Sequence, residues 1–157
     1  MAVVSNSSPL IALAEIKQLD LLRRLFESVW IPRAVAAEVA PSLPTLPDWI
    51  AIRELAQPVP SAVLSRALGL GEREALALTL ESRPTYVILD DRPARRVAVE
   101  LGLPLIGTLG ILVMAKQEGL ISSIRPQVDA LLNSGFFIGD DLYRDLLSDT
   151  NEPSTGE

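Results

Sequence analysis

Apolar residues in this chain fall into short unbroken runs, with helically spaced stretches between them. Ala2-Val3-Val4-Ser5, Val29-Trp30-Ile31 and Tyr86-Val87-Ile88-Leu89 have the length and aliphatic content of buried strands. Leu103–Ile106 reads as a fourth strand and Trp49–Arg53 as a short fifth. After Asn6-Ser7-Ser8-Pro9 the stripe Leu10, Leu13, Ile16 predicts a helix, with a serine as N-cap and Pro9 in its first turn. Further helices are expected over Leu19–Phe26, Arg33–Ala40, Ser61–Leu68, Glu72–Ser82, Arg92–Leu101 and Leu109–Glu118. One more runs from Pro126 to about Ser134, and a last one starts at Asp140 or Asp141. Gly69-Leu70-Gly71 reads as a turn, Gly102 as a C-cap, Gly107-Thr108 as a helix cap and Gly119 as a helix stop.

Strands alternating with helices predict an α/β fold built on a parallel sheet. From Pro41 to Pro60 repeated prolines remove backbone donors, so that stretch is expected to be a surface excursion with at most a short strand. The expected organisation is a single domain over residues 1–148 and a polar, disordered tail over 149–157.

Composition narrows the chemistry. The chain has 157 residues, 48% of them hydrophobic, so part of its apolar surface is expected to be buried against another copy or a partner. With neither Cys nor His there is no thiol nucleophile, no Ser-His-Asp triad and no Cys/His zinc site. A Gly-rich phosphate loop is also missing, which leaves carboxylates, hydroxyls and a hard metal ion. The net charge of −6 speaks against a general nucleic-acid-coating surface but allows a local basic rim. No apolar run approaches the roughly 18–20 residues of a membrane span, and no leader pattern is evident, so a cytoplasmic protein is expected.

Acids and one amide stand where strands end or helices begin: Asn6, Glu38, Glu72 and the pair Asp90-Asp91. In open α/β sheets the carboxyl ends of the strands form the ligand crevice. Carboxylates converging there repel one another unless a cation neutralises them, and Mg²⁺ and Mn²⁺ prefer oxygen ligands. Each residue also has an ordinary explanation. Asp90-Asp91, Glu72 and Glu74 suit helix N-termini, and Asn6 suits an Asx-turn. Glu38, near the end of its helix, opposes the dipole and fits that explanation least.

The ordered set of segments resembles the PIN-domain superfamily, in a branch related to VapC-type toxins. The segments are Val4-Ser5-Asn6-Ser7-Ser8-Pro9-Leu10-Ile11, then Ile31-Pro32 with Val35-Ala36-Ala37-Glu38-Val39. Leu70-Gly71-Glu72-Arg73-Glu74-Ala75-Leu76-Ala77-Leu78 follows, then Leu89-Asp90-Asp91-Arg92-Pro93-Ala94-Arg95 and Gly107-Thr108-Leu109-Gly110-Ile111-Leu112. The resemblance implies a three-layer α/β/α sandwich with a mainly parallel sheet. It also implies a ribonuclease that hydrolyses phosphodiester bonds with Mg²⁺ or Mn²⁺, acts as the toxin of a toxin–antitoxin pair and forms a homodimer. Its partners would be RNA and a cognate antitoxin, with no membrane.

By position the resemblance assigns the four ligand and catalytic places to Asn6, Glu38, Glu72 and Asp91. Asp90 is an alternative or supporting ligand, Glu74 an alternative to Glu72, and Ser7 or Ser8 the small hydroxyl residue after the first acid. Asn6 departs from the Asp usual at the first place. Its amide oxygen ligates a hard cation but brings no charge. A rival reading therefore follows, a weakened PIN-like module kept for protein or RNA binding. Arg92, Arg95 and Arg96 read either as backbone-phosphate contacts or as a solvated helix face. A receiver-type domain ranks lower, because it expects an acidic pair after the first strand and a late Lys.

Overall fold

The computed structural model describes residues 1–138, 144, 146–148 and 152. Its strands are β1 (Ala2–Ser5), β2 (Ser28–Ile31), β3 (Ile50–Ile52), β4 (Tyr86–Ile88) and β5 (Leu105–Ile106). They form one five-stranded sheet in the order β3-β2-β1-β4-β5, and every pairing is parallel. The helices are α1 (Ser7–Glu15), α2 (Asp20–Leu25), α3 (Arg33–Val39), α4 (Ser61–Leu64), α5 (Leu70–Ser82), α6 (Arg92–Glu100), α7 (Thr108–Gln117) and α8 (Arg125–Asn133).

Strand side chains alternate between the two faces of a sheet, so buried strands feed two cores. Val3, Val29, Ile31 and Ile88 join one cluster with Leu10, Leu13, Ile111 and Leu131 from the helices on that face and Phe26 just after α2. Val4, Val87 and Leu89 join the other, with Leu76 of α5 and Val97 of α6, and Trp30 packs against it. Helices therefore cover both faces of a parallel sheet, the three layers expected. Leu21, Leu22 and Phe26 are buried in the chain's own core.

Three local readings are corrected. The N-cap of α1 is Asn6, not a serine; its N–H donates to the Ile88 carbonyl (3.1 Å) and extends the β1–β4 pairing by one residue, so Ser7 already lies in the helix. The α4 helix stops at Leu64, not Leu68; Arg73 Nη2 donates to the Arg66 carbonyl (3.2 Å), and Leu68 N–H turns back to the same oxygen (3.0 Å). Gly69-Leu70-Gly71 is not a turn; Gly69 is the extended N-cap of α5, and Leu70 and Gly71 form its first turn. The start of the helix expected from Asp140 or Asp141, and the tail 149–157 apart from Glu152, lie outside the described residues, while residues 144 and 146–148 are helical. The other glycine punctuation holds, with Gly102 (φ 70°) and Gly119 (φ 75°) each following a helix in the left-handed conformation.

Glu152 reaches back to the opposite end of α8. Its carboxylate accepts from Lys116 Nζ (2.7 Å), the N–H groups of Ile124 (2.8 Å) and Arg125 (3.0 Å), and the Ser123 hydroxyl. It closes the N-terminus of a helix that has no capping side chain of its own at Ile124.

Candidate active site

Parallel pairing of β1 with β4, in the register Ser5↔Ile88, puts the carboxyl ends of the two central strands side by side. Asn6 follows one and Asp90-Asp91 the other. Asn6 is 1% exposed, and its Oδ1 is buried with no hydrogen-bond partner. Its side chain makes neither the Asx-turn bond nor a cap bond. A buried amide oxygen without a partner costs about 1–3 kcal/mol, so a native fold that keeps one there has reserved an acceptor.

The two aspartates are both engaged. Asp91 is the N-cap of α6, and its Oδ2 accepts from Ala94 N–H (3.0 Å). Asp90 accepts from Thr108 at the start of α7, through the backbone N–H to Oδ1 (2.8 Å) and the hydroxyl to Oδ2 (2.5 Å). Gly107 makes this approach possible: a Cβ there would lie 2.7 Å from Arg95 Nη1 and 2.9 Å from Asp90 Oδ1. The helix-cap explanation thus holds for Asp91. It leaves ligand capacity, because an ionised carboxylate has about four lone-pair positions.

Glu38 and Glu72 both lie on helices of the α3–α5 contact. The Glu38 carboxylate lies over Gly71 so closely that a Cβ there would overlap Oε1. The Glu72 carboxylate folds back over Gly69, about 3.1 Å from where a Cβ would stand. Glu74 is drawn elsewhere, accepting from Ala34 N–H (2.9 Å) at the start of α3. That bond ties the helices together and separates the structural acid, Glu74, from Glu72.

The structure therefore sets Asn6 beside Asp90-Asp91 at the strand ends, and Glu38 and Glu72 on the two helices of the α3–α5 contact. Helix α5, which carries Glu72, packs on β1. Among the described residues, no three His, Cys, Asp or Glu side chains form a metal-holding group. The donor chemistry nonetheless fits a hard divalent cation: all donors are oxygens, one is a buried amide oxygen without a partner, and Gly71 leaves room for the Glu38 carboxylate.

Beside Asp90-Asp91 opens a cleft of about 660 Å³, lined also by Ser8, Arg92, Arg95 and Phe137. Ser8 is exposed toward it while Ser7 is buried. Arg95 is half-buried and donates through Nη1 to the Leu89 carbonyl (2.6 Å); Arg92 and Arg96 are exposed, and Arg96 lies off the cleft. The sequence reading missed Phe137. Its signal was available in Phe136-Phe137, a rare aromatic pair in a chain with 4% aromatics.

Residues 2–152 match the DUF3368 family model, described as a PIN domain. The chain belongs to the PIN-domain family. PIN domains are generally nucleases that use divalent metal ions. Among curated proteins none matches this PIN domain significantly. Among solved structures it is similar to a PilT N-terminus domain protein from the hyperthermophilic archaeon Sulfolobus solfataricus, at a TM-score of 0.58 and 18% identity. That similarity covers 73% of this chain and 93% of the archaeal one, and it concerns the fold. No helix among the described residues of the PIN domain is long and apolar enough to cross a membrane.

Proposed function

We propose that this PIN domain is a divalent-metal-dependent ribonuclease that hydrolyses RNA phosphodiester bonds in the cytoplasm as the toxin of a toxin–antitoxin pair. The observation that carries the catalytic reading is the buried, partnerless Asn6 Oδ1 at the carboxyl end of β1, beside Asp90-Asp91 after β4. A cognate antitoxin and a homodimer belong to the same proposal; the exposed apolar side chains Ile52, Leu64, Leu70 and Val99 are compatible with such contacts.

Asn6, Glu38, Glu72 and Asp91 would hold Mg²⁺ or Mn²⁺, with Asp90 keeping the Asp91 loop in place through Thr108. The bound ion would polarise the scissile phosphate and make its attacking water more acidic. With no His in the chain, the base would be a metal-bound hydroxide or a carboxylate, and the exposed Glu38 is the carboxylate proposed to pass the proton to solvent. Arg92 and Arg95, on the cleft wall, would hold the flanking phosphates.

The test is cleavage of single-stranded RNA with Mn²⁺ by wild type and Asp91→Asn. Asn is as good an N-cap as Asp, so the variant keeps α6. Activity should fall about 100-fold. Equal cleavage by both proteins would overturn the assignment. A second reading, a weakened module kept for binding, is favoured by the neutral Asn6; wild type that binds RNA yet never cleaves it would decide for that reading.

A further inference from the structure

Phe137 is 87% exposed, an unusual position for a phenyl ring in a chain with so few aromatics. Its neighbours are not loose. Gly135 (φ 101°) turns the backbone out of α8, and Phe136 N–H returns to the Leu131 carbonyl (2.9 Å). Phe136 packs against the main core and Ile138 is 8% exposed within it. The segment is therefore pinned on both sides of Phe137, and the ring stands on a fixed base at the rim of the cleft that Arg92, Arg95 and Asp91 also line.

We propose that Phe137 is a stacking platform for an unpaired base of single-stranded RNA whose phosphates run past Arg92 and Arg95 toward Asp91. The inference rests on the nuclease reading and adds how the site selects its substrate. A phenyl ring offers the same π-face to any base, so it grips a single strand with little sequence preference. The bases of a duplex are already stacked on each other and cannot take that position. Charge favours RNA as the occupant over an apolar protein surface. The same cleft holds two guanidinium groups and the Asp90-Asp91 carboxylates; with the carboxylates turned to the divalent ion of the nuclease reading, Arg92 and Arg95 are the groups that match a polyanion.

The experiment uses the full chain in EDTA, where metal-dependent cleavage is stopped, and a short single-stranded RNA carrying a fluorescent adenine analogue. Wild type should quench the analogue and bind the single strand, and bind the corresponding duplex more weakly. Phe137→Ala should lose the quenching and about tenfold in affinity. Phe137→Trp should restore both, which a merely structural defect would not allow. Equal quenching and affinity in wild type and Phe137→Ala would overturn the proposal, as would wild type that fails to bind. If Phe137→Ala instead dissociates a dimer while RNA binding is unchanged, the ring belongs to a contact between copies and the proposal falls. The nuclease reading is judged separately, by cleavage with Asp91→Asn. Stacking that persists in a protein unable to cleave would sink that reading and leave Phe137 as an RNA-binding residue.

Discussion

At the scale of single residues, Asn6 is the position where composition and environment conflict. A buried amide oxygen with no donor is costly in a protein that has no other use for it. Replacing it by Asp would place a charge in the same buried position. Without metal, Asn6→Asp should therefore be less stable than wild type at neutral pH by about 1–3 kcal/mol, since the charge has no partner. Mn²⁺ should reverse the order, raising the melting temperature of Asn6→Asp more than that of wild type. Titration of Mn²⁺ against thermal unfolding, with EDTA as baseline, reads both effects. Identical Mn²⁺ responses would mean that this oxygen faces no ion.

At the scale of elements, the contact between α3 and α5 carries the most information. Two acids near the start of α5 do different work: Glu74 holds Ala34 N–H of α3, while Glu72 lies back over Gly69. Gly71 separates stability from function here. Ala is intrinsically better than Gly in a helix by about 1 kcal/mol, and α5 continues well past this position. An added methyl group would, however, displace the Glu38 carboxylate. Gly71→Ala should therefore keep or raise the melting temperature while cleavage and Mn²⁺ affinity fall about tenfold or more. A loss of stability together with activity would show that the glycine serves packing alone. For the opposite case, Glu74→Gln should cost on the order of 1 kcal/mol of stability, because its bond to Ala34 is charge-assisted, and leave Mn²⁺ affinity unchanged.

At the scale of the whole molecule, Glu152 fastens the C-terminal part of the chain to α7 and α8. Burial raises the carboxyl pKa. The N–H of Ile124, Lys116, the Ser123 hydroxyl and the N–H of Arg125 more than offset that, holding it at about 2 against an ordinary value of 4.5. A folded-state pKa below the unfolded one means that stability is fully present above about pH 4.5 and is lost as pH falls toward 2. Glu152→Gln should lower stability at neutral pH by on the order of 2 kcal/mol. The gap between variant and wild type should close progressively across that acid window. A gap that stays constant with pH, measured by urea unfolding, would mean that the contact acts by packing and not by charge.

The order of the elements could be read directly from the chain, because period is a local property. Unbroken aliphatic runs too short for a helix suit strands covered on both faces, and the stripes between them suit helices lying on a sheet. The kinds of chemistry left open were equally plain, since a chain without His or Cys has only oxygen donors for a metal or a proton. That Gly69 and Gly71 open a helix was not legible. Gly69-Leu70-Gly71 resembles a turn in isolation yet starts a helix, and the Glu38 carboxylate, from another helix, occupies the space a side chain at residue 71 would need. Nor could the sequence rank its acids. Asp91, Asp90 and Glu74 acquire hydrogen-bond duties from Ala94, Thr108 and Ala34, and the last two donors lie far from them along the chain. Phe137 is exposed only because Phe136 and Ile138 are anchored in the core on either side of it. Local pattern determines which segments become strands and helices; which side chains remain available for chemistry depends on contacts between segments, and these exist only once the sheet and its two helical layers have closed.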